Sequence, residues 1–217
     1  MKAVNRIEGV AAPLLRDNVD TDVIIPSREI TSPARDGYGA KLFSPWRYSA
    51  PGGPENADFV LNQPTYRQAS ILIAGANFGC GSSREMAVWA LAQFGIRCVI
   101  AVGFGAIFRD NCIRNGLLPL VLPATKVAAL AAAATLQPAG WCVDLTTCTV
   151  HEPGGSTHPF NFDAHDRAQL LAGLDAIDLT WQHRSAIEAF EAADRQRRPW
   201  IWAAPDPSEA LPTKEVP

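Results

Sequence analysis

The nine residues Asn77-Phe-Gly-Cys-Gly-Ser-Ser-Arg-Glu85 hold the groups most able to do chemistry in this chain. Two hydroxyls, Ser82 and Ser83, and the guanidinium of Arg84 follow glycines at 75, 79 and 81. The stretch lies where a short apolar run, Ser70–Ala74, gives way to a helical pattern over Ser82–Phe94. A helix head offers unpaired N–H groups and the positive end of a dipole, so it favours an anion. Arg84 adds a planar fork that takes a carboxylate through two parallel N–H bonds. Three familiar loops are excluded. A phosphate-binding P-loop needs a lysine after its glycines, and a dinucleotide loop needs a glycine where Arg84 stands. A nucleophile elbow, G-x-S-x-G, would take Ser83 as its serine but needs a glycine where Glu85 stands. Cys80 has no histidine paired with it in the pattern and reads as a small packing residue. The bland alternative for the whole stretch is a capping box, Ser82-x-x-Glu85. It accounts for the serine and the glutamate but not for Arg84 or the glycines.

A second polar cluster runs Asp17-Asn-Val-Asp-Thr-Asp22. Asn18, Asp20 and Asp22 imitate the first ligands of a calcium loop, and Glu29 falls at the twelfth position. Val23 stands where that loop needs glycine, and Ile24-Ile25-Pro26 fill its middle, which argues against calcium. Two readings stay open: an Asx turn leading into a buried strand over 23–25, or a carboxylate beside a reaction centre. The histidines at 151, 158, 165 and 183 show no metal-binding spacing. Trp46, Tyr48 and Phe59 are suited either to core packing or to lining a pocket.

The elements that must hold these groups follow from periodicity. Ser70–Ala74, Cys98–Val102 and Leu117–Leu122 read as strands buried on both faces. Helical patterns over Ser82–Phe94 and Ala106–Asn115 end at Gly95 and Gly116, giving a βαβ unit. Helices are expected over Lys126–Leu136, Asp163–Ala172 and Thr180–Arg195, with a strand over Cys142–His151. Residues 27–66 are irregular. The chain has 217 residues, 47% apolar and 19% charged, with a net charge of −3. That charge leaves no basic footprint for nucleic acid. The longest uncharged apolar run, Cys98–Phe108, is too short to span a bilayer. No signal-peptide pattern opens the chain, and the five cysteines never form C-x-x-C. The expectation is a soluble, reduced, cytoplasmic protein: one domain over 1–202 and a proline-rich, disordered tail over 203–217.

Taken together, "DNVDTDVIIP", "GYGAKLFSPWRY", "ADFVLNQP", "NFGCGSSRE", "NCIRNGLLPL" and "GLDAIDLT" resemble one family, the small subunits of bacterial 3-isopropylmalate dehydratase in the aconitase superfamily. The resemblance runs in order over about residues 7–190. It implies an α/β fold, the swivelling β/β/α domain found as the aconitase C-terminal domain. It further implies half an active site, with a [4Fe–4S] cluster on a partner large subunit and no cofactor or metal on this chain. The implied reaction interconverts 2- and 3-isopropylmalate by dehydration and rehydration in leucine biosynthesis. Ser82 matches the family's base, and Asp22 an acidic residue near it. Ser83 and Arg84 match positions that hold substrate carboxylate, beside Gly81. Arg28 and Ile30 fall in the loop that recognises the distinguishing part of the malate. Departures from the family pattern are Met86 for histidine, Val88 for proline, Gly103 for serine and Ala106 for aspartate. Ser27-Arg28-Glu29-Ile30 also replaces the usual lysine-glutamine-phenylalanine-leucine. The loss of a histidine and an aspartate from adjacent turns reads as one polar contact removed. Two alternatives accompany this reading: a paralogous hydro-lyase for methylmalate/citraconate or dimethylmalate, and a non-catalytic carboxylate-binding domain.

Overall fold

A computed structural model describes residues 1–30, 35–82 and 84–203. Ser83 and residues 204–217 of the expected tail lie outside the described residues. Contacts divide the chain into two compact units, the first spanning Met1–Asp175 and the second beginning at Ala176.

The first unit opens with β1 (Arg6–Leu14), then two short helices, α1 (Thr21–Ile24) and α2 (Ser44–Arg47), within a largely irregular stretch. A regular alternation follows: β2 (Ala69–Ala74), α3 (Glu85–Phe94), β3 (Cys98–Ala101), α4 (Ala106–Asn115), β4 (Leu118–Val121) and α5 (Ala124–Leu136). The unit closes with β5 (Trp141–Asp144), β6 (Thr149–His151), β7 (Thr157–Pro159) and α6 (Ala164–Ala172). Among the described residues seven strands form one sheet in the order β4-β3-β2-β1-β5-β6-β7. The β4–β1 half is parallel and the β5–β7 half antiparallel.

Strand β1 belongs to both halves. Arg6–Gly9 pair antiparallel with β5, and Val10–Leu14 pair parallel with β2. The register shifts between Val10 and Ala11. Beside that shift Gly9 has φ +144°, and a Cβ there would fall 2.4 Å from Ser70 Oγ. Ser70 Oγ uses the gap to donate to Glu8 O at 3.0 Å.

Alternation within β2 decides the layers. Leu72 and Ala74 face one apolar cluster, which α3 covers with Ala87, Val88 and Leu91. Ile71 and Ile73 face the other, which α5 covers with Val127, Leu130 and Ala134. Burial on both faces explains why the parallel strands read as continuous apolar runs.

Three elements differ from the sequence expectation. Val23–Ile25, expected as a strand, lies at the end of helix α1. Asp20 caps that helix by accepting the Asp22 N–H at 2.5 Å, and Asp20 O and Thr21 O accept Ile24 and Ile25 N–H. Three apolar residues do not distinguish a buried helical turn from a strand. Cys142–His151 is a hairpin instead of one strand. Asp144 Oδ1 accepts the N–H of Thr146 and Thr147, and Cys148 takes φ +53°. An Asx turn therefore folds the run back on itself.

The second unit carries α7 (Ala176–Trp181), α8 (Arg184–Arg197) and α9 (Pro199–Trp202) where one helix over Thr180–Arg195 was expected. Gln182 N–H and His183 N–H close back on Asp178 O and Thr180 O, ending α7. Asp194 joins α8 to α9, accepting from Arg198 Nε at 2.7 Å, Arg197 Nη2 at 3.0 Å and Trp202 Nε1 at 3.1 Å. Arg198 first and Arg197 second hold its carboxyl well below the usual range. Among the described residues no helix is long and apolar enough to cross a membrane.

Candidate active site

The loops after β1, β2 and β3 gather at the carboxyl ends of parallel strands, where α/β sheets place their ligands. The 75–84 loop runs between the other two. On one side Ala76 N–H donates to Asp17 Oδ1 at 2.6 Å and Asn18 N–H to Ala76 O at 2.8 Å. Gly79 N–H continues the seam to Val19 O at 2.7 Å, and Thr21 N–H reaches Cys80 O at 2.9 Å. On the other side Phe78 N–H donates to Gly103 O at 2.9 Å, and Gly105 N–H to Phe78 O at 3.0 Å. The loop is therefore stitched by backbone along both edges.

Side chains complete the stitching. Asn77 Nδ2 donates to Asn18 Oδ1 at 2.8 Å, and both asparagines sit at φ +54°. Asparagine enters that left-handed region more readily than most residues. Phe78 is buried against Phe104 and Phe108, with centroids 6.4 and 5.6 Å away. Close approach dictates one glycine above all. A Cβ on Gly79 would lie 2.1 Å from Phe108 Cγ, at φ +73°.

The loop delivers Gly81, Ser82 and Arg84 to the head of α3. Gly81 is exposed at φ +86°. Ser82 is exposed and has no hydrogen-bond partner among the described residues. Helix α3 begins at Glu85, and its N-cap is Arg84, with no side-chain cap. The capping-box reading therefore fails: Ser82 lies two residues before the cap. Glu85 instead accepts Asn115 Nδ2 at 2.9 Å, while Asn115 Oδ1 takes Trp89 Nε1 at 3.0 Å. This bridge ties α3 to α4, and the N-cap residue Arg84 gives the α3 head no side-chain cap.

Asp22 meets Arg84 from α1, its carboxylate accepting from Arg84 Nη1. Thus Asp22, Gly81, Ser82 and Arg84 are assembled from two loops about 60 residues apart in sequence. Cys80 is a poor nucleophile here, since burial, and then the Asp20 carboxylate, push its thiol upward. Arg28 pairs with the adjacent Glu29 across 3.9 Å, and Ile30 packs against the first apolar cluster.

The family departures have a structural reading. Met86 is half-buried against the first cluster, and Ala106 is exposed as the first residue of α4. A Cβ on Gly103 would find its nearest neighbour, Asn77 N, at 4.0 Å, so a larger residue would fit. Backbone bonds through Phe78 hold these turns together without the missing polar pair. Sequence reasoning passed over Asp17, Asn18 and Asn77 as parts of the site. Their Asx-turn character was visible, but a partner loop 59 residues away was not. Among the described residues no three His, Cys, Asp or Glu side chains group to hold a metal ion.

Comparison with known proteins places this sheet and its helix head in a family. The aconitase C-terminal domain model matches residues 1–125, more than half the chain. Residues 177–202 match the model of the C-terminal domain of 3-isopropylmalate dehydratase small subunits. The 3-isopropylmalate dehydratase small subunit of Cupriavidus necator is 56% identical over 197 residues, covering 89% of this chain and 94% of that one. That of Dinoroseobacter shibae is 47% identical over 207 residues, covering 93% and 100%. A crystal structure of 3-isopropylmalate dehydratase from Methanocaldococcus jannaschii superposes with TM-score 0.60 at 24% identity. It spans 86% of this chain and 99% of that one, and bears on the fold. The chain belongs to the family of 3-isopropylmalate dehydratase small subunits.

Proposed function

We propose that this chain works in the cytoplasm as the small subunit of a 3-isopropylmalate dehydratase, a hydro-lyase that isomerises 2- and 3-isopropylmalate. The observation that carries this reading is the assembly of Ser82, Arg84 and Asp22 at one helix head, in a chain 56% identical to a relative bearing that name.

In this reading Ser82 oxygen takes the proton from the carbon beside a carboxylate as the carbon–oxygen bond breaks on the neighbouring carbon. Hydroxide, the group released, then adds to the other carbon of the double bond while Ser82 returns its proton to the first-hydroxylated one, which restores the alkoxide. A serine oxyanion is a strong base and needs stabilisation, which the N–H groups at the head of α3 and its dipole supply. Arg84 has one nitrogen committed to Asp22, which leaves the other edge of its fork for a substrate carboxylate. Asp22 thereby fixes the guanidinium in place. Ser83 is assigned to the same carboxylate by family resemblance.

Among the described residues the His, Cys, Asp and Glu side chains do not group as an iron–sulfur cluster would need. The proposal places the [4Fe–4S] cluster on the large subunit, where it would act as Lewis acid for the leaving hydroxyl. Arg28 is mostly exposed and close to Glu29, which leaves Ile30 as the apolar residue of the recognition loop. That arrangement favours a branched apolar substituent over a charged or smaller one.

Reconstitution with the large subunit under anaerobic conditions tests the proposal. The expected result is no turnover by the isolated chain, turnover by the pair, and a higher kcat/KM on 3-isopropylmalate than on citraconate or dimethylmalate. One methylene in an apolar pocket is worth about 10–200-fold. A clear preference for a smaller malate would move the chain to the paralogous hydro-lyases. Binding of malates without turnover by the pair would leave only a carboxylate-binding domain.

A further inference from the structure

Trp46, Tyr48 and Phe59, open in the sequence to either core or pocket, line a pocket of about 640 Å³ at the carboxyl end of β1. Its floor is apolar: Leu14 and Phe59 are buried, and Trp46 stacks on Phe43 at 5.7 Å and 8°. Several polar groups around it are engaged internally. Tyr48 OH donates to Ala40 O at 3.1 Å, and Asn56 Nδ2 to Trp46 O at 3.2 Å.

Two charges at the mouth are not engaged. Arg16 is exposed, with its guanidinium 4.4 Å from the centre of the Trp46 ring. Asp58 is exposed as well. The two do not pair with each other, and neither has an ion-pair partner among the described residues. Stacking on tryptophan holds the Arg16 fork in place without satisfying its donors. An apolar floor between charges of opposite sign matches a stretch of polypeptide better than a small monoanion.

The position says whose polypeptide. Arg16 directly precedes Asp17, whose carboxylate holds Ala76 at the start of the 75–84 loop. A partner that completes the site at Ser82 must lie across this same end of the sheet. We infer that the Arg16–Trp46 pocket is a docking site for the large subunit, filled by an apolar side chain flanked by an acid that meets Arg16 and a base that meets Asp58. The inference rests on the heteromeric reading given above.

Anaerobic titration of the chain with purified large subunit, followed by calorimetry and by turnover at saturation, tests it. Arg16→Glu is expected to weaken association about 10–100-fold, as charge reversal at a desolvated contact does. At saturating partner, kcat and KM should stay within about twofold of wild type. Arg16→Lys keeps the charge and loses the stack, so its affinity should fall in between. Asp58→Lys, on the other side of the mouth, should weaken association as well, and it gives an independent reading should Arg16→Glu fail to fold. Wild-type affinity for both charge-reversed proteins in an active complex would overturn the inference. So would lost kcat at unchanged affinity. A wild-type pair that associates without turnover would count against the proposed reaction while leaving the docking result readable.

Discussion

The parallel and antiparallel halves of the sheet make their turns by different means. At the carboxyl edge of the parallel half, the loops after β1, β2 and β3 bond to one another. Gly79 is packed so tightly that a methyl group would strike Phe108. In the antiparallel half each turn is nearly self-sufficient. Asp144 folds its own hairpin through Thr146 and Thr147, and Gly155, at φ +89°, has nothing within 4 Å of its Cβ position. One edge is built by cooperation between distant segments and the other by local chemistry. The difference marks where precise placement of side chains was required.

Substitutions at the two edges should therefore separate activity from stability. The largest effect is expected from Ser82→Ala. Removing a general base typically costs about 10²–10⁴-fold in rate. Because Ser82 is not the α3 cap, stability should move by less than about 0.5 kcal/mol. Turnover of the reconstituted pair, read beside a denaturant titration, checks both; retained turnover would remove the serine from its proposed role.

Gly79→Ala comes next. Left-handed backbone costs a residue with a Cβ about 1–2 kcal/mol, and overpacking adds about 1–3 kcal/mol. Gly155→Ala in the antiparallel half carries the first cost alone, about 1–2 kcal/mol, and should leave turnover untouched. Equal losses of stability for the two would erase the contrast between the edges.

A smaller effect is expected at Asn77. Asn77→Ala should cost about 1–2 kcal/mol of stability through its positive φ and the lost bond to Asn18. Asn77→Gly should recover most of that, since glycine adopts the backbone freely. Failure of the glycine to rescue would shift the weight to the Asn77–Asn18 bond.

The smallest effect is a pH dependence in the antiparallel half. The Thr146 hydroxyl, then the neighbouring N–H groups, hold the Asp144 carboxyl below its ordinary value. A carboxyl lowered in the folded state binds fewer protons there than when unfolded. Its contribution is thus present above about pH 4 and lost as pH falls further. After allowance for solvent screening, Asp144→Asn should cost about 0.5–1 kcal/mol at pH 7. That gap should close in acid unfolding measurements below about pH 4. A gap independent of pH would assign the cost to shape instead of charge.

Legibility in the sequence follows the same division. The helix over Ala106–Asn115 and the strands around Ser70–Ala74 and Cys98–Ala101 could be read directly, because burial on both faces leaves an unbroken apolar run and glycines mark the helix ends. The 23–25 segment could not, because Ile24 and Ile25 are buried in either geometry and the deciding bond comes from Asp20. The start of α3 was misplaced for a related reason. Ser82 and Glu85 have capping-box spacing, but Asn115 on the neighbouring helix claims the glutamate.

By itself the sequence determined the α/β class and the βαβ unit, and it singled out the residues proposed to hold a carboxylate: hydrophobic period and glycine placement are local properties of the chain. Only the tertiary structure decided that Asp22 meets Arg84, that Asp17 and Asn18 serve the 75–84 loop, and that Glu85 turns to Asn115. Those bonds join segments about 30 to 60 residues apart. Each polar group had several partners within chemical reach, and packing of the strands selected among them.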